Sequence, residues 1–324
     1  MTHSAHAAAL CSRRSSSSPS SPARSNKALH CPFVSGLHAE VDAIQAHVVA
    51  WAVALGLVDG ERAAHRLDAS KVGWLLARAN PEAPRSFVEL AADWTTFFCL
   101  LDDRIEQFPT PDSVASYLDE VLRALTGGPA DPGDSIQHAA RDLHRRFQLV
   151  AERRWMARFA RKNRELFEAF KVEAHARASG GMGDVRSYLP LREVTVGIWV
   201  ELEISELGAG IELCPEERAE TIDMARMACN LVGWANDIFT YEKELAAGDP
   251  NNLVLLLARS DGGDLDAALQ RAVRMHDREA NSLALRIGEA SGVGSEAVRR
   301  FASVLGHWVK GHLDWAHETG RYAG

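Results

Sequence analysis

The sequence predicts an all-α protein in which residues 31–324 form one large helical domain. Helix start and stop signals recur along these residues, and several helix-patterned segments are longer than about twenty residues. Strand and helix signals do not alternate, which argues against a doubly wound parallel sheet. No internal repeat of about 34 or 40 residues is visible, so a solenoid is not indicated. We count about ten helices.

The first long helix is predicted over residues 87–107, about 30 Å in length. Ser86 and Glu89 have the spacing of a capping box at its start, and the helix stops before Pro109. After the turn-rich segment GGPADPGD, Ser135 is predicted to cap the next helix.

A glycine-rich break at residues 180–183 separates these helices from the longest one. Pro215 suits the first turn of that helix, whose pattern continues to Gly248, where glycine can end it. A further break at residues 260–263 precedes two more helices that end near Arg321. The signals therefore predict a domain of long, packed helices.

Residues 1–30 differ in composition from the rest of the chain. They contain the run SRRSSSSPSSPARSNK, with no acidic residue and no apolar periodicity, which predicts a disordered tail. The apolar stretch AAAL is too short for a secretory signal. A transit peptide, which is also rich in Arg and Ser, stays an alternative.

Charge argues against a nucleic-acid partner. The chain has a formal net charge of −8, and the tail contributes +4, so the predicted domain carries −12. Such an acidic body is repelled by a phosphate backbone. The Arg-rich residues 141–164 are interleaved with apolar residues, which is typical of the solvated face of amphipathic helices.

Cysteine usage and hydropathy bear on the cellular compartment. The five cysteines are scattered without a CxxC pair, so neither a disulfide framework nor a zinc knuckle is indicated. A reducing, cytoplasmic location is therefore predicted. The sequence has no run of eighteen apolar residues, so no membrane span is predicted.

The segment DDRIE at residues 102–106 lies at the end of the first long helix. Asp102 and Glu106 are four residues apart, so their side chains lie on one face of that helix. Acidic residues at a helix C-terminus oppose the helix dipole, and the upstream TTFFCLL is apolar on nearly every side. These acids are predicted either as metal ligands at the rim of a cavity or as an ordinary solvated helix end.

The segment NDIFTYEKE at residues 236–244 is more specific. Asn236, Thr240 and Glu244 follow at four-residue intervals and drift by only about 80° around a helix, so they can converge on one ion. Asn and Thr are mediocre helix formers, which favours a functional reason for their presence. Oxygen donors without sulfur select Mg²⁺ or Mn²⁺, and Lys243 beside them can meet a phosphate oxygen.

Together, the two segments resemble the metal-binding motifs of class I terpene synthases (terpene cyclases) of the bacterial and fungal type. DDRIE has the DDxxE form of their aspartate-rich motif, and NDIFTYEKE has the form (N/D)Dxx(S/T)xxxE. Arg192 lies 44 residues before Asn236, close to the position of the family's diphosphate-sensing arginine. Arg321–Tyr322 matches the family's Arg-Tyr pair. These landmarks extend from Asp102 to Tyr322 and cover most of the chain.

This resemblance implies the class I terpenoid synthase fold and a lyase that binds three Mg²⁺, for which Mn²⁺ is a possible substitute. It implies that Asp102 bridges two ions, that Glu106 is a further ligand, and that the third ion is held by Asn236, Thr240 and Glu244. Asp103 and Asp237 are expected to support the ligands without coordinating metal. The donors to the substrate diphosphate would be Arg192, Lys243, Arg321 and Tyr322.

An apolar, aromatic cavity is expected next to the metal site, because ring faces stabilise a carbocation that has no anionic partner. Phe98, one helical turn from Asp102, is the first candidate, and it is followed by Trp199, Trp234 and Trp308. Packing in the core is the alternative for each of these rings. Val196 stands where the family frequently has a glycine at its effector position, so no role is carried over to it.

The resulting prediction is a terpene cyclase that ionises an acyclic isoprenyl diphosphate. Farnesyl diphosphate, the commonest substrate in the family, is expected, with a cyclic sesquiterpene as product. Geranyl and geranylgeranyl diphosphates stay open, and a homodimer is a possible assembly.

Three other functions are alternatives to this prediction. A chain-elongating prenyltransferase would carry a second Asp-rich motif in place of residues 236–244. A metal-dependent phosphohydrolase would need a His–Asp dyad, and the dyad His276–Asp277 is predicted on the surface. In a non-catalytic helical module the acidic segments would merely be solvated.

Overall fold

The computed structural model describes residues 28–322, so the predicted disorder of the tail falls almost wholly outside the described residues. Within that range the chain forms thirteen α-helices and no strand, which confirms the all-α prediction. The helices are α1 Val41–Ala54, α2 Gly60–Ser70, α3 Val72–Ala79, α4 Arg85–Ile105, α5 Pro111–Leu125, α6 Ser135–Val150, α7 Arg153–Ala178, α8 Val185–Thr195, α9 Ile198–Gly208, α10 Pro215–Ala247, α11 Leu253–Ser260, α12 Leu265–Val293 and α13 Glu296–Glu318, followed by a short 3-10 helix Gly320–Tyr322.

The capping box predicted at the start of α4 is wrong. Helix α4 begins at Arg85, directly after Pro84, and no side chain caps this described helix end. Glu89 instead accepts a hydrogen bond from Arg85 Nε at 2.7 Å, one turn along the same helix. Ser86 is therefore the second residue of the helix and lies inside its first turn, where it cannot serve as the cap.

The ends of α10 are as predicted, whereas the cap of α6 differs by one residue. Pro215 is the first residue of α10, and Gly248 ends it in the left-handed conformation with a φ of 76°. Helix α6 is capped by Asp134, whose carboxylate accepts from the backbone N–H of Gln137 at 3.0 Å. Ser135 is the first helical residue, because the longer aspartate side chain before it reaches that N–H group.

The long helices pack around a shared interior. Helix α4 packs against α1, α3, α6 and α9, and α10 packs against α8, α9, α12 and α13. Large rings such as Trp94, Phe97 and Trp308 are fully buried between them. None of the helices in residues 28–322 combines the length and the apolar character that a membrane crossing would require.

The break between α8 and α9 depends on Gly197. Its φ is 82°, in the left-handed region that favours glycine. A Cβ atom at this position would lie 2.9 Å from Cζ of Phe98, on the facing helix α4. Glycine therefore allows both the sharp turn into α9 and the close approach of a ring of α4.

The predicted surface position of the His276–Asp277 dyad is wrong for the histidine. His276 has 0% exposure, and its Nδ1 lies 3.3 Å from Oδ1 of Asp277, whose side chain is 33% exposed. Helix α12 packs against α10, α11 and α13, and His276 shares its inner face with the buried Ala272 and Ala280, one turn away on either side. This histidine is part of the packed core.

Candidate active site

A cavity of about 460 Å³ lies among α4, α7, α8, α9, α10 and α13, and residues from both acidic motifs line it. The exposure of the lining residues rises along α4 from the buried Trp94 to the partly buried Phe98 and Asp102, and Glu106, directly after the helix, is exposed. The open end of the cavity therefore lies at the C-terminal end of α4. The predicted diphosphate donors line the same cavity: Arg192, Lys243, Arg321 and Tyr322.

The first motif brings three acidic side chains together at the C-terminal end of α4. Burial, and then the charge of Glu106, raise the pKa of Asp102 to about 6. Burial also raises the pKa of Glu106, against the opposing charge of Arg177. Asp103 accepts a hydrogen bond from Arg321 Nη2 at 3.2 Å. Neighbouring carboxyl groups that are hard to ionise are stabilised as anions by a divalent cation, so this end of α4 fits a metal.

The second motif presents three kinds of oxygen along α10. The Thr240 hydroxyl donates to the backbone carbonyl of Asn236 at 2.9 Å, which leaves its oxygen lone pairs for another partner. Oε2 of Glu244 accepts from Nδ2 of Asn252 at 2.8 Å. Oδ1 of Asn236 accepts from Arg192 Nη2 at 2.6 Å. The spacing therefore places the three side chains on one cavity wall, as the sequence predicted.

The donor set fits a hard divalent ion. In the described part of the chain, no three His, Cys, Asp or Glu side chains are already grouped as a metal site. The predicted ligands instead combine carboxylates at the C-terminal end of α4 with an amide, a hydroxyl and a carboxylate of α10, all lining one cavity. Such all-oxygen sets suit Mg²⁺, which retains water molecules in its coordination shell.

Asp237 is buried and holds Arg192 rather than facing the open end. Its Oδ1 accepts from Arg192 Nε at 2.9 Å, and its Oδ2 accepts from the Tyr188 hydroxyl at 2.7 Å and from the backbone N–H of Leu253 at 3.0 Å. Burial raises the pKa of Asp237, and the charge of Arg192 opposes that shift. Asp237 thus fixes one side of the Arg192 guanidinium.

Asn252, which the sequence analysis did not single out, connects the two ends of this motif. Its Nδ2 donates to the backbone carbonyl of Asp237 at 2.9 Å as well as to Glu244. Its Oδ1 accepts from the backbone N–H of Val254 and caps α11. The only signal in the sequence was a turn-like DPNN segment, which indicates a helix start but not a contact with α10.

Helix α7 contributes two charged residues that the sequence analysis also missed. Glu173 and Arg177 line the cavity, and Arg177 Nε donates to Asp249 Oδ2 at 3.2 Å. Burial raises the pKa of Glu173 to about 7. Because α7 carries charges around most of its surface, nothing in its pattern distinguishes these two residues.

The inner part of the cavity is aromatic. Phe98 stacks between Trp94 and Phe170, with ring centroids 5.5 and 5.9 Å away. Trp308 also lines the cavity, and its Nε1 donates to the Ser205 hydroxyl at 2.9 Å, which fixes the plane of its ring. The structure therefore places two of the predicted aromatic residues in the lining.

Trp199 and Trp234 lie outside the cavity lining, which corrects their predicted placement. The ring of Trp199 is covered by the Lys162 ammonium, 4.6 Å from its centroid, and its Nε1 donates to Glu193 at 3.2 Å. Trp234 packs in a separate core with residues of α11 and α12. On α9, Ile198 lines the cavity and Trp199 does not. Successive residues of a helix point about 100° apart, so Trp199 faces away from the cavity.

Comparison with known proteins found terpene synthases of bacteria. A germacrene A synthase of Nostoc punctiforme is 27% identical over 304 residues, which cover 91% of this chain and 94% of that protein. A (+)-T-muurolol synthase of Roseiflexus castenholzii, whose name specifies cyclisation of (2E,6E)-farnesyl diphosphate, is 27% identical over 301 residues, covering 90% and 92%. The solved structure of a-eudesmol synthase matches with a TM-score of 0.79 at 22% identity and covers 90% of this chain and 99% of that chain.

The structural match shows the same fold, and the sequence shows the family. Residues 93–282 match the profile of terpene synthase family 2, described as C-terminal metal binding. This stretch is more than half of the chain and contains both acidic motifs. The resemblance that the two motifs indicated is confirmed, and the chain belongs to terpene synthase family 2.

Proposed function

We propose that this chain is a Mg²⁺-dependent cyclase that ionises farnesyl diphosphate and closes the resulting carbocation to a cyclic sesquiterpene. One observation carries the proposal. A single cavity has oxygen ligands and cationic donors at its open end and stacked aromatic rings in its interior. The open end suits a metal-bound diphosphate, and the interior suits a hydrocarbon chain that becomes a cation.

In this proposal the ions are held by Asp102 of α4, by Glu106 directly after that helix, and by Asn236, Thr240 and Glu244 of α10. Three Mg²⁺ are expected, and Mn²⁺ can replace them. When bound, the ions act as Lewis acids that neutralise the charge developing on the departing diphosphate. The protein adds donors to the same phosphate oxygens through Arg192, Lys243, Arg321 and Tyr322.

Arg192 is already poised for this role. Its Nε is held by Asp237, while its Nη2 lies on Oδ1 of Asn236, an oxygen that the proposal assigns to metal. If Asn236 Oδ1 holds a metal ion, Nη2 of Arg192 would leave that oxygen and could donate to a phosphate oxygen. Asp237 would keep the guanidinium in place during this exchange, because Tyr188 and the start of α11 fix its carboxylate.

The interior residues exclude water and stabilise the cation. Phe98 and Trp308 line this interior, and the contact of such a ring with a positive charge contributes up to about 2 kcal/mol when desolvated. Trp94 and Phe170 hold the Phe98 ring in place. The volume of about 460 Å³ lies in the range of roughly 300–1,000 Å³ that is usual for small-molecule sites.

The choice of farnesyl diphosphate is supported by the relatives, one of which is named for cyclising it. The proposal is tested by incubating the protein with geranyl, farnesyl and geranylgeranyl diphosphates, with Mg²⁺ or with EDTA, followed by gas chromatography–mass spectrometry. We expect a cyclic C15 product from farnesyl diphosphate with Mg²⁺ and none with EDTA. Turnover that persists in EDTA would contradict the metal assignment.

Paired variants connect the activity to the site. Asp102→Asn keeps the size of the side chain and removes the charge, so we expect loss of turnover with an unchanged circular dichroism spectrum. Asp266→Asn makes the same exchange at an exposed position on α12 and should leave turnover intact. Equal activity in the two variants would refute the role of the first motif.

A cytoplasmic location and a homodimer stay predictions.

A further inference from the structure

Glu201 is a carboxyl group in the cavity wall that neither motif accounts for. It lies on α9, is 3% exposed, and lines the cavity together with Thr95, Phe98 and Trp308. Its Oε1 lies 2.5 Å from the Thr95 hydroxyl. Its Oε2 is fully buried and has no hydrogen-bond partner in residues 28–322.

The other glutamates of the same helix segment are neutralised, and Glu201 is not. Glu203 accepts from Arg158 Nε at 2.9 Å, and Glu206 accepts from both terminal nitrogens of Arg218. Among the described residues no arginine, lysine or histidine forms an ion pair with Glu201. An isolated charge at such a buried place is strongly disfavoured, so Glu201 is held as a neutral carboxylic acid. Burial raises its pKa to about 8.

The contacts also indicate which oxygen carries the acidic hydrogen. The Thr95 hydroxyl lies closer to Oε1 of Glu201, at 2.5 Å, than to the backbone carbonyl of Ala91, at 3.1 Å. With Oε1 accepting that hydrogen bond, Oε2 is left free to carry the acid proton of Glu201.

We propose that Glu201 is an acid–base residue of the cyclisation, protonating a neutral cyclic alkene inside the cavity and later taking a proton back. This inference rests on the proposed function, which supplies the allyl cation and the diphosphate anion. A general acid must be able to reach the reacting atom, and Glu201 lines the same cavity as the aromatic rings Phe98 and Trp308.

The proposed sequence balances in protons and electrons. The first cyclic cation loses a proton to the released diphosphate, and its C–H pair becomes a double bond. Glu201 then gives its Oε2 proton to a remaining double bond: the π pair forms the new C–H bond, and the O–H pair stays on the carboxylate. After a second ring closure the carboxylate removes a proton next to the new cation, which forms the final double bond and restores the acid.

The test is turnover of farnesyl diphosphate with Mg²⁺ in D₂O, with diphosphate release and the product mass measured on the same sample. We expect the wild-type hydrocarbon to gain one mass unit, because the exchangeable proton of Glu201 enters the product. Glu201→Gln cannot donate a proton, so we expect continued diphosphate release and an unlabelled alkene with fewer rings. Glu220→Gln, at an exposed position on α10, should give the labelled wild-type product.

Each other outcome decides against the inference. Wild-type product without deuterium would show that no exchangeable acid takes part, and this result does not depend on any variant. Deuterium in the products of both wild type and Glu201→Gln would assign the acid to another group. If the wild type releases diphosphate but gives unlabelled products, the proposed function holds and only the role of Glu201 is refuted. If the wild type releases no diphosphate, both the proposed function and the role of Glu201 are refuted.

Discussion

Glutamine at position 201 would keep the shape of the Glu201 side chain and remove its titratable proton. The ordinary pKa of a glutamate is 4.5, and burial raises that of Glu201 to about 8 in the folded protein. Between these two values the folded state retains a proton that the unfolded chain releases. The free energy of unfolding of the wild type therefore falls as the pH rises through this window.

The size of the effect follows from the two pKa values. Each pH unit inside the window lowers the free energy of unfolding by about 1.4 kcal/mol relative to a residue that does not ionise. Between pH 5 and pH 7 the wild type should lose about 3 kcal/mol relative to Glu201→Gln. The glutamine amide can also change the free energy of unfolding by an amount that does not depend on pH. The pH dependence of that free energy, rather than its value at one pH, therefore tests whether Glu201 is neutral.

The assay is urea-induced unfolding followed by circular dichroism at pH 5, 6 and 7. Glu220→Gln serves as the control, because its position on α10 is exposed and it should follow the wild-type slope. Parallel curves for wild type and Glu201→Gln would show that Glu201 is already ionised in the folded state. That result would refute the neutral carboxyl group on which its proposed role depends.

Two further changes test the scaffold of the site. Gly197→Ala should lower the free energy of unfolding by about 1–3 kcal/mol, measured by urea unfolding, because the φ of 82° and the Phe98 ring at 2.9 Å both disfavour a Cβ atom; unchanged stability would contradict this contact. Asn252→Asp keeps the oxygen that caps α11 but replaces the nitrogen that donates to Glu244. We expect the Mg²⁺ concentration for half-maximal turnover to rise roughly tenfold or more, and an unchanged value would exclude a supporting role.

Local signals explain which parts of the fold could be predicted. Pro215 and Gly248 determine their own backbone conformations, so both ends of α10 were correct. The four-residue spacing of Asn236, Thr240 and Glu244 likewise follows from helix geometry alone. His276 was misplaced because the neighbouring arginines suggested an exposed face, whereas the small residues one turn away on either side mark the inner one.

The interior of the site could not be predicted in the same way. Helix α9 is buried on almost every side, so its sequence has no polar face to show which residues point at the cavity. Trp199 was therefore named and Glu201 was missed, although they are two residues apart. Asn252 was missed for a related reason, since its contacts with α10 arise only when α11 folds back.

The contact between Arg192 and Asn236 has a consequence for the order in which ligands bind. With Asn236 as a metal ligand, as proposed, the first ion to arrive must compete with an internal guanidinium for the same oxygen. A diphosphate that binds the Arg192 guanidinium removes this competition and so raises the affinity of Asn236 for the ion. By linkage, the bound ion raises the affinity for the diphosphate by the same factor. Without substrate, this contact would therefore weaken metal binding at Asn236. Metal ion and diphosphate would bind the site cooperatively.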